Sequence, residues 1–153
     1  MGNEILELLN DSKSVKILIS TDSEGAPHPA IKSSLKSEGG EIIYTEFLES
    51  SDTNRYLTKS LWFDKKVTVF LISHDGRTFK ITVKPVRAIV NGKVFQRYYE
   101  EVQKKYGDFD LSTVWILKPL VIREQTLQKR VEEEAKGRPY FLHLDRLAKK
   151  ERV

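Results

Sequence analysis

The feature that most constrains this chain is the shortness of the connections between its apolar, strand-like runs. VKILIST (15–21) is followed by the turn Asp22-Ser23-Glu24-Gly25, EIIYTEF (41–47) is preceded by Gly39-Gly40, and VTVFLIS (67–73) is followed by His74-Asp75-Gly76-Arg77. Turns of two to four residues join antiparallel neighbours, whereas parallel neighbours need a crossover of a dozen or more. The spacing predicts an antiparallel sheet.

Six strand segments emerge from this reading. They are Val15–Thr21, Pro27–Lys36, the run at 41–47, the run at 67–73, a long strand from TFKITV into VRAIV bent at Pro85, and VWILKPLVIREQT. In the first, Ile17, Ile19 and Thr21 share a face. In the third, Ile43 and Thr45 oppose Ile42, Tyr44 and Glu46. Pro27 and Pro29 lack N–H donors and suit an edge or a strand beginning.

Helical spacing appears in EILELLN, ahead of Asn10-Asp11-Ser12, and again in RYLTKSLWFD. There Tyr56, Leu57, Leu61 and Trp62 fall on one side, and Trp62 and Phe63 are read as core-packing residues, the alternative being a lip over a bound cofactor. Lys93–Tyr106 carries a stripe that includes Tyr98, Tyr99 and Tyr106 for packing on the sheet, and Gly107 stops it. Lys129–Lys136 is helical before Gly137-Arg138-Pro139. The fold class expected is mainly β, a six-stranded antiparallel barrel with added helices, because such a sheet must close or fold over to hide its edges. The division expected is a barrel domain over 1–128 and a helical, basic extension over 129–153.

Composition restricts function more than it names it. Hydrophobic residues make up 39% and charged residues 31% of the 153, and no apolar run approaches the roughly 20 residues a spanning helix needs. MGNEILELLNDSKS has no basic leader followed by an apolar stretch, and there is no cysteine, so a cytoplasmic location without membrane contact is expected. The formal charge of +4 is modest and interleaved with 22 acidic residues, which argues against a nucleic-acid surface. No G-x-G-x-x-G or G-x-x-x-x-G-K-[ST] stretch occurs. His28, His74 and His143 lie in unrelated contexts, so neither a metal triad nor a nucleophile-base pair is indicated, and His74 is a turn residue.

The most suggestive polar cluster is ESSDTNRYL, where a strand ends and a helix begins. Ser50, Ser51, Thr53 and Asn54 there could cap the helix, or could use its unpaired N–H groups and dipole to hold a phosphate.

The order of these elements, with Gly25-Ala26-Pro27-His28, VTVFLIS, FKITVKPVRAIV and KPLVIREQTL, resembles the FMN-binding split-barrel family that includes pyridoxamine 5'-phosphate oxidase. The likeness spans about Glu4–Leu127. It implies an FMN-type split barrel, with the flavin ring held by Lys32, Ser33 and Ser34 and, from the next strand, by Thr45 and Glu46 near Tyr44. It implies phosphate contacts at Ser51, Thr53, Asn54 and Arg55. It further implies a homodimer with flavin sites between subunits and an oxidoreductase acting on a small redox substrate. The family usually has Lys or Arg before the phosphate-binding Thr or Ser. Asp52 stands there instead and repels a dianion, leaving Arg55 or Lys32 to compensate. A non-enzymatic FMN electron carrier and, more remotely, a nucleic-acid-binding barrel are the other functional readings, and haem or a deazaflavin the other cofactors.

Overall fold

The computed structural model describes residues 2–137, and the elements are read from it in chain order. They are α1 (Asn3–Asn10), β1 (Val15–Thr21), β2 (Pro27–Ile31), β3 (Lys36–Glu38), β4 (Glu41–Glu46), α2 (Asp52–Trp62), β5 (Val67–Ile72), β6 (Thr78–Ile89), α3 (Gly92–Tyr106), β7 (Thr113–Glu124) and α4 (Leu127–Gly137). The strands form one sheet in the order β2-β1-β5-β6-β7-β4-β3, and every neighbouring pair is antiparallel.

That order forces closure. The outermost strands, β2 and β3, are consecutive in the chain and joined only by residues 32–35. Six strand spacings would put the edges of a flat sheet roughly 29 Å apart. The five residue steps from Ile31 to Lys36 reach roughly 18 Å at most. The sheet therefore curls into a barrel that is split between its two edges.

Seven strands stand where six were expected, because Pro27–Lys36 is not continuous. After Ile31 the Lys32 N–H still donates to the Lys16 carbonyl at 2.8 Å, and the Leu35 N–H then turns back onto the Lys32 carbonyl at 3.1 Å. Leu35 is fully buried, so its insertion into the barrel breaks the strand while Ser33 and Ser34 round the corner.

The barrel interior holds Leu18, Ile42, Tyr44, Val69, Leu71, Ile81, Val83, Trp115 and Leu117, with Ile5 and Leu9 of α1 and Leu57 of α2 packed into the same core. A second core lies outside, where Tyr98 and Val102 of α3 meet Ile43, Val114 and Ile116 of β4 and β7. Tyr99 and Tyr106 pack partly buried against it, as the stripe on this helix predicted. Because α3 covers the outer face of β4, residues on both sides of that strand are buried.

The turn chemistry follows the sequence. Gly39 and Gly40 both take positive φ, 60° and 81°, as a two-residue hairpin turn demands, and Gly107 ends α3 at φ 72°. Register shifts on either side of Pro85 bend β6. His74 lies in the turn before β6.

Ile17, Ile19 and Thr21 share a face of β1, as expected; it is the half-buried outer one, and the buried face carries Lys16, Leu18 and Ser20. One expectation fails. Trp62 and Phe63 do not pack in the core, being 80% and 69% exposed. They stand where α2 ends, past its buried positions Thr53, Leu57 and Ser60, just before Asp64 takes positive φ and turns the chain away. Helix α4 covers the expected Lys129–Lys136, and the basic stretch beyond it lies outside the described residues.

Candidate functional site

The turn from β2 to β3 meets the end of β4, and this meeting makes a cleft of about 200 Å³. Lys32, Ser33, Ser34, Thr45 and Glu46, the five residues expected at a flavin ring, all line it, together with Tyr44 and Phe47. The Ser34 hydroxyl donates to the Thr45 carbonyl at 2.9 Å and ties the turn to the strand. The sequence reading set Lys32–Ser34 on a strand. They reach the cleft from a turn instead.

Glu46 gives the cleft its electrostatic character. Its side chain is 3% exposed and shares the inward register of Ile42 and Tyr44. One oxygen, Oε1, accepts the Leu48 N–H at 3.3 Å. The other, Oε2, accepts no hydrogen bond among the described residues and lies 3.7 Å from the Lys32 ammonium. Lys32 also stands 5.6 Å from the centre of the Tyr44 ring. Buried carboxylate oxygens are almost always hydrogen-bonded, so this unsatisfied one beside the cleft is an acceptor without a donor.

The start of α2 is arranged more conventionally. Ser51 caps it, its hydroxyl accepting the Asn54 N–H at 3.0 Å. The Asn54 side chain is committed at both ends, donating to the Glu49 carbonyl at 3.1 Å and accepting from the Trp115 indole at 2.9 Å. Arg55 is ion-paired with Asp52 one turn back, and its guanidinium sits over the Tyr56 ring. Thr53 is buried. The first two N–H groups of the helix, those of Asp52 and Thr53, meet no acceptor among the described residues. Asn54 borders a broad groove of about 630 Å³ with Thr58, Phe95 and Trp115. Phe47 lines both this groove and the smaller cleft, so the two adjoin, whereas Ser51, Thr53 and Arg55 do not border the smaller cleft itself.

Sequence reasoning missed a third concavity, of about 280 Å³, on the far side of the turn at residues 32–35. It shares Ser33, Ser34 and Thr45 with the first cleft and adds Lys16, Lys36 and Lys105. These lysines come from three distant elements. The one local signal was a lysine in phase with Leu18 and Ser20 along the first strand.

Among the described residues no group of three or more His, Asp or Glu is placed to hold a metal ion. No helix among them is long and apolar enough to cross a membrane.

No protein-family profile matches the sequence, and no curated protein sequence matches it. Solved structures do match. An FMN-binding protein from Syntrophomonas wolfei subsp. wolfei aligns over 80% of this chain and 84% of its own, with 19% identity and a TM-score of 0.67. HupZ of Group A Streptococcus aligns over 83% and 95%, with 14% identity and a TM-score of 0.67. A protein from Listeria innocua, provisionally named a pyridoxamine 5'-phosphate oxidase, aligns over 81% and 97%, with 17% identity and a TM-score of 0.60. At such identities the likeness establishes the fold, and the fold is the split barrel that the sequence order implied.

Proposed function

We propose that this protein belongs to the pyridoxamine 5'-phosphate oxidase-like flavoproteins and binds FMN, with the ring in the cleft of Lys32, Ser33, Ser34, Thr45 and Glu46. The carrying observation is that residues picked out by sequence resemblance surround one cleft, at whose wall a buried carboxylate oxygen has no donor. A ring system with an N–H and carbonyls at its polar edge suits such a wall. Glu46 would accept the N–H, Lys32 would hold its charge in place, and the ring face would lie against Tyr44 or Phe47.

The anchor for the flavin's phosphate is assigned to the start of α2, where the N–H groups of Asp52 and Thr53 are open and Arg55 stands in the first turn. Arg55 must exchange part of its bond to Asp52 for phosphate oxygens. The Asn54 side chain, held by Glu49 and Trp115, would act by fixing the helix start rather than by touching the phosphate.

Bound flavin supplies hydride or electron transfer, and the protein's part is to orient it and set the charge at its edge. We assign the activity to an oxidoreductase with a small redox substrate. The cleft, at about 200 Å³, lies below the usual range for an enclosing ligand site, which fits a half-site completed by a second copy. The outer face of β2-β1-β5 is apolar enough to receive one. Cross-strand partners Ile31, Ile17 and Phe70 form a row there, and Ile31 is 72% exposed.

The visible spectrum of the purified protein, before and after added FMN, tests this reading, with mass analysis of any released cofactor. Bands of a bound oxidised flavin and the mass of FMN are expected. A preparation that stays colourless and takes up no FMN overturns it, and a deazaflavin or haem mass replaces the cofactor. Turnover with a reduced nicotinamide separates enzyme from carrier.

A further inference from the structure

The third concavity lies at one mouth of the barrel, between α1, β1, β3 and α3. Lys16 enters it from β1 in the inward register and is only 6% exposed. Its ammonium makes no hydrogen bond or ion pair among the described residues. Burying a charge without a partner is costly, and chains that do so normally supply a counter-charge.

The protein's own groups supply it only in part. Burial lowers the Lys16 pKa first, repulsion from Lys105 lowers it further, and the attraction of Asp11 ranks third. Lys36 is matched by Glu101 of α3 at 3.0 Å, and Lys105 sits 5.3 Å from the centre of the Tyr106 ring. Among the residues lining the space three lysines face the one carboxylate of Glu101, and with Asp11 acting on Lys16 from outside the lining the surroundings stay net positive around a space of about 280 Å³. That space is near the lower end of small-molecule sites, and its floor of Leu9, Leu35 and Val102 keeps the dielectric low.

We propose that this pocket binds a phosphate-class oxyanion, with Lys16 as its buried counter-ion and Lys105 and Lys36 at its rim. A phosphate-class anion suits the net positive surroundings, and its oxygens would complete the hydrogen bonding of the Lys16 ammonium. The site is separate from the phosphate anchor at α2, none of whose residues lines it. It does not rest on the flavin reading, since a protein that takes no flavin would still bind phosphate here. The shared wall of Ser33, Ser34 and Thr45 would place the anion on the opposite side of the turn from the flavin ring.

Calorimetric titration of the full chain with inorganic phosphate, in a chloride background, tests the assignment. The wild type should bind, Lys16→Met should weaken binding at least about tenfold, and Lys105→Gln should weaken it several-fold. Arg130→Met, whose guanidinium pairs with Glu133 on α4, should leave it unchanged. In thermal unfolding about 10 mM phosphate should raise the melting temperature of the wild type and not that of Lys16→Met. Without phosphate, Lys16→Met should melt no lower than the wild type, because it removes a charge whose burial is only partly offset. Equal affinity in the wild type and both lysine variants, or no binding by the wild type, overturns the proposal. Competition between saturating FMN and phosphate also overturns it, by giving the pocket to the cofactor's own phosphate.

Discussion

Lys32 Nζ and Glu46 Oε2 face each other at 3.7 Å, close enough to attract and too far apart to hydrogen-bond. The gap is consequential because Glu46 is buried and its Oε2 has no other donor among the described residues. Under the flavin reading, a ligand N–H that reached this buried oxygen would find an acceptor already oriented by Leu48 and polarised by Lys32.

Glu46→Gln should weaken FMN and riboflavin to the same degree, by roughly 5- to 15-fold, the difference between a charged and a neutral hydrogen-bond acceptor. Both ligands carry the same ring, and fluorescence titration reads both affinities. A loss confined to FMN would move Glu46 to the phosphate end.

At the helix start the two charges pull in opposite directions. Asp52→Asn should tighten FMN several-fold, since it removes a carboxylate near a dianion and releases Arg55, and Arg55→Ala should loosen it by a similar factor. Riboflavin should respond to neither. Equal responses by the two flavins would place the phosphate elsewhere.

Tyr98 ties α3 to the β3 hairpin, its hydroxyl donating to Glu38 at 2.5 Å. That hydrogen bond, ahead of the nearby Arg97 and Lys36, holds the Glu38 carboxyl below its ordinary pKa, against a smaller opposing effect of burial. A carboxyl depressed by folding contributes stability above its unfolded value near 4.3 and loses that contribution as the pH falls through its folded value. Tyr98→Phe should therefore cost about 1 kcal/mol near pH 7, a figure reduced for Glu38's exposure, and the deficit should shrink below about pH 4. Urea unfolding at the two pH values measures it. A deficit independent of pH would mean that the hydroxyl contributes only packing.

Leu35→Ala should cost about 2–5 kcal/mol in urea unfolding, the range for emptying a fully buried leucine position. Because Leu35 seats the turn that carries Ser33 and Ser34, flavin affinity should fall with it. Unchanged affinity in the folded variant would show that the turn holds its place without this anchor.

Ile31→Asp should convert a dimer into a monomer in sedimentation, with little change in thermal stability of the separate subunit. Ile31 is 72% exposed and sits beside Ile17 on the outer face. A wild type that sediments as a monomer at all concentrations would remove the half-site argument.

Much of the fold was legible in the sequence because its turns are made of residues with few alternatives. Gly39-Gly40, Asp75-Gly76 and Gly107 announce positive φ or a hairpin directly, and the bend at Pro85 follows from a missing donor. The residues of the cleft between the 32–35 turn and β4 were brought together only through resemblance, since Lys32 and Glu46 are 14 positions apart and nothing local says that they meet. Trp62 and Phe63 misled because helical spacing gives a side of the helix but not the point where the core ends.

Alternation and turn residues, both local properties, determined from sequence alone that an antiparallel, mainly β sheet would form and where most of its strands would begin and end. Which face of a strand is buried was decided by the tertiary structure. Closure of the sheet directs Lys16, Leu18 and Ser20 inward and leaves the more apolar Ile17 and Ile19 outside. The same closure cuts the expected second strand at residues 32–35, because a chain that must pass from one sheet edge to the other in four residues has to turn. Long-range geometry of that kind has no signature in any short window, and it sets where the clefts lie.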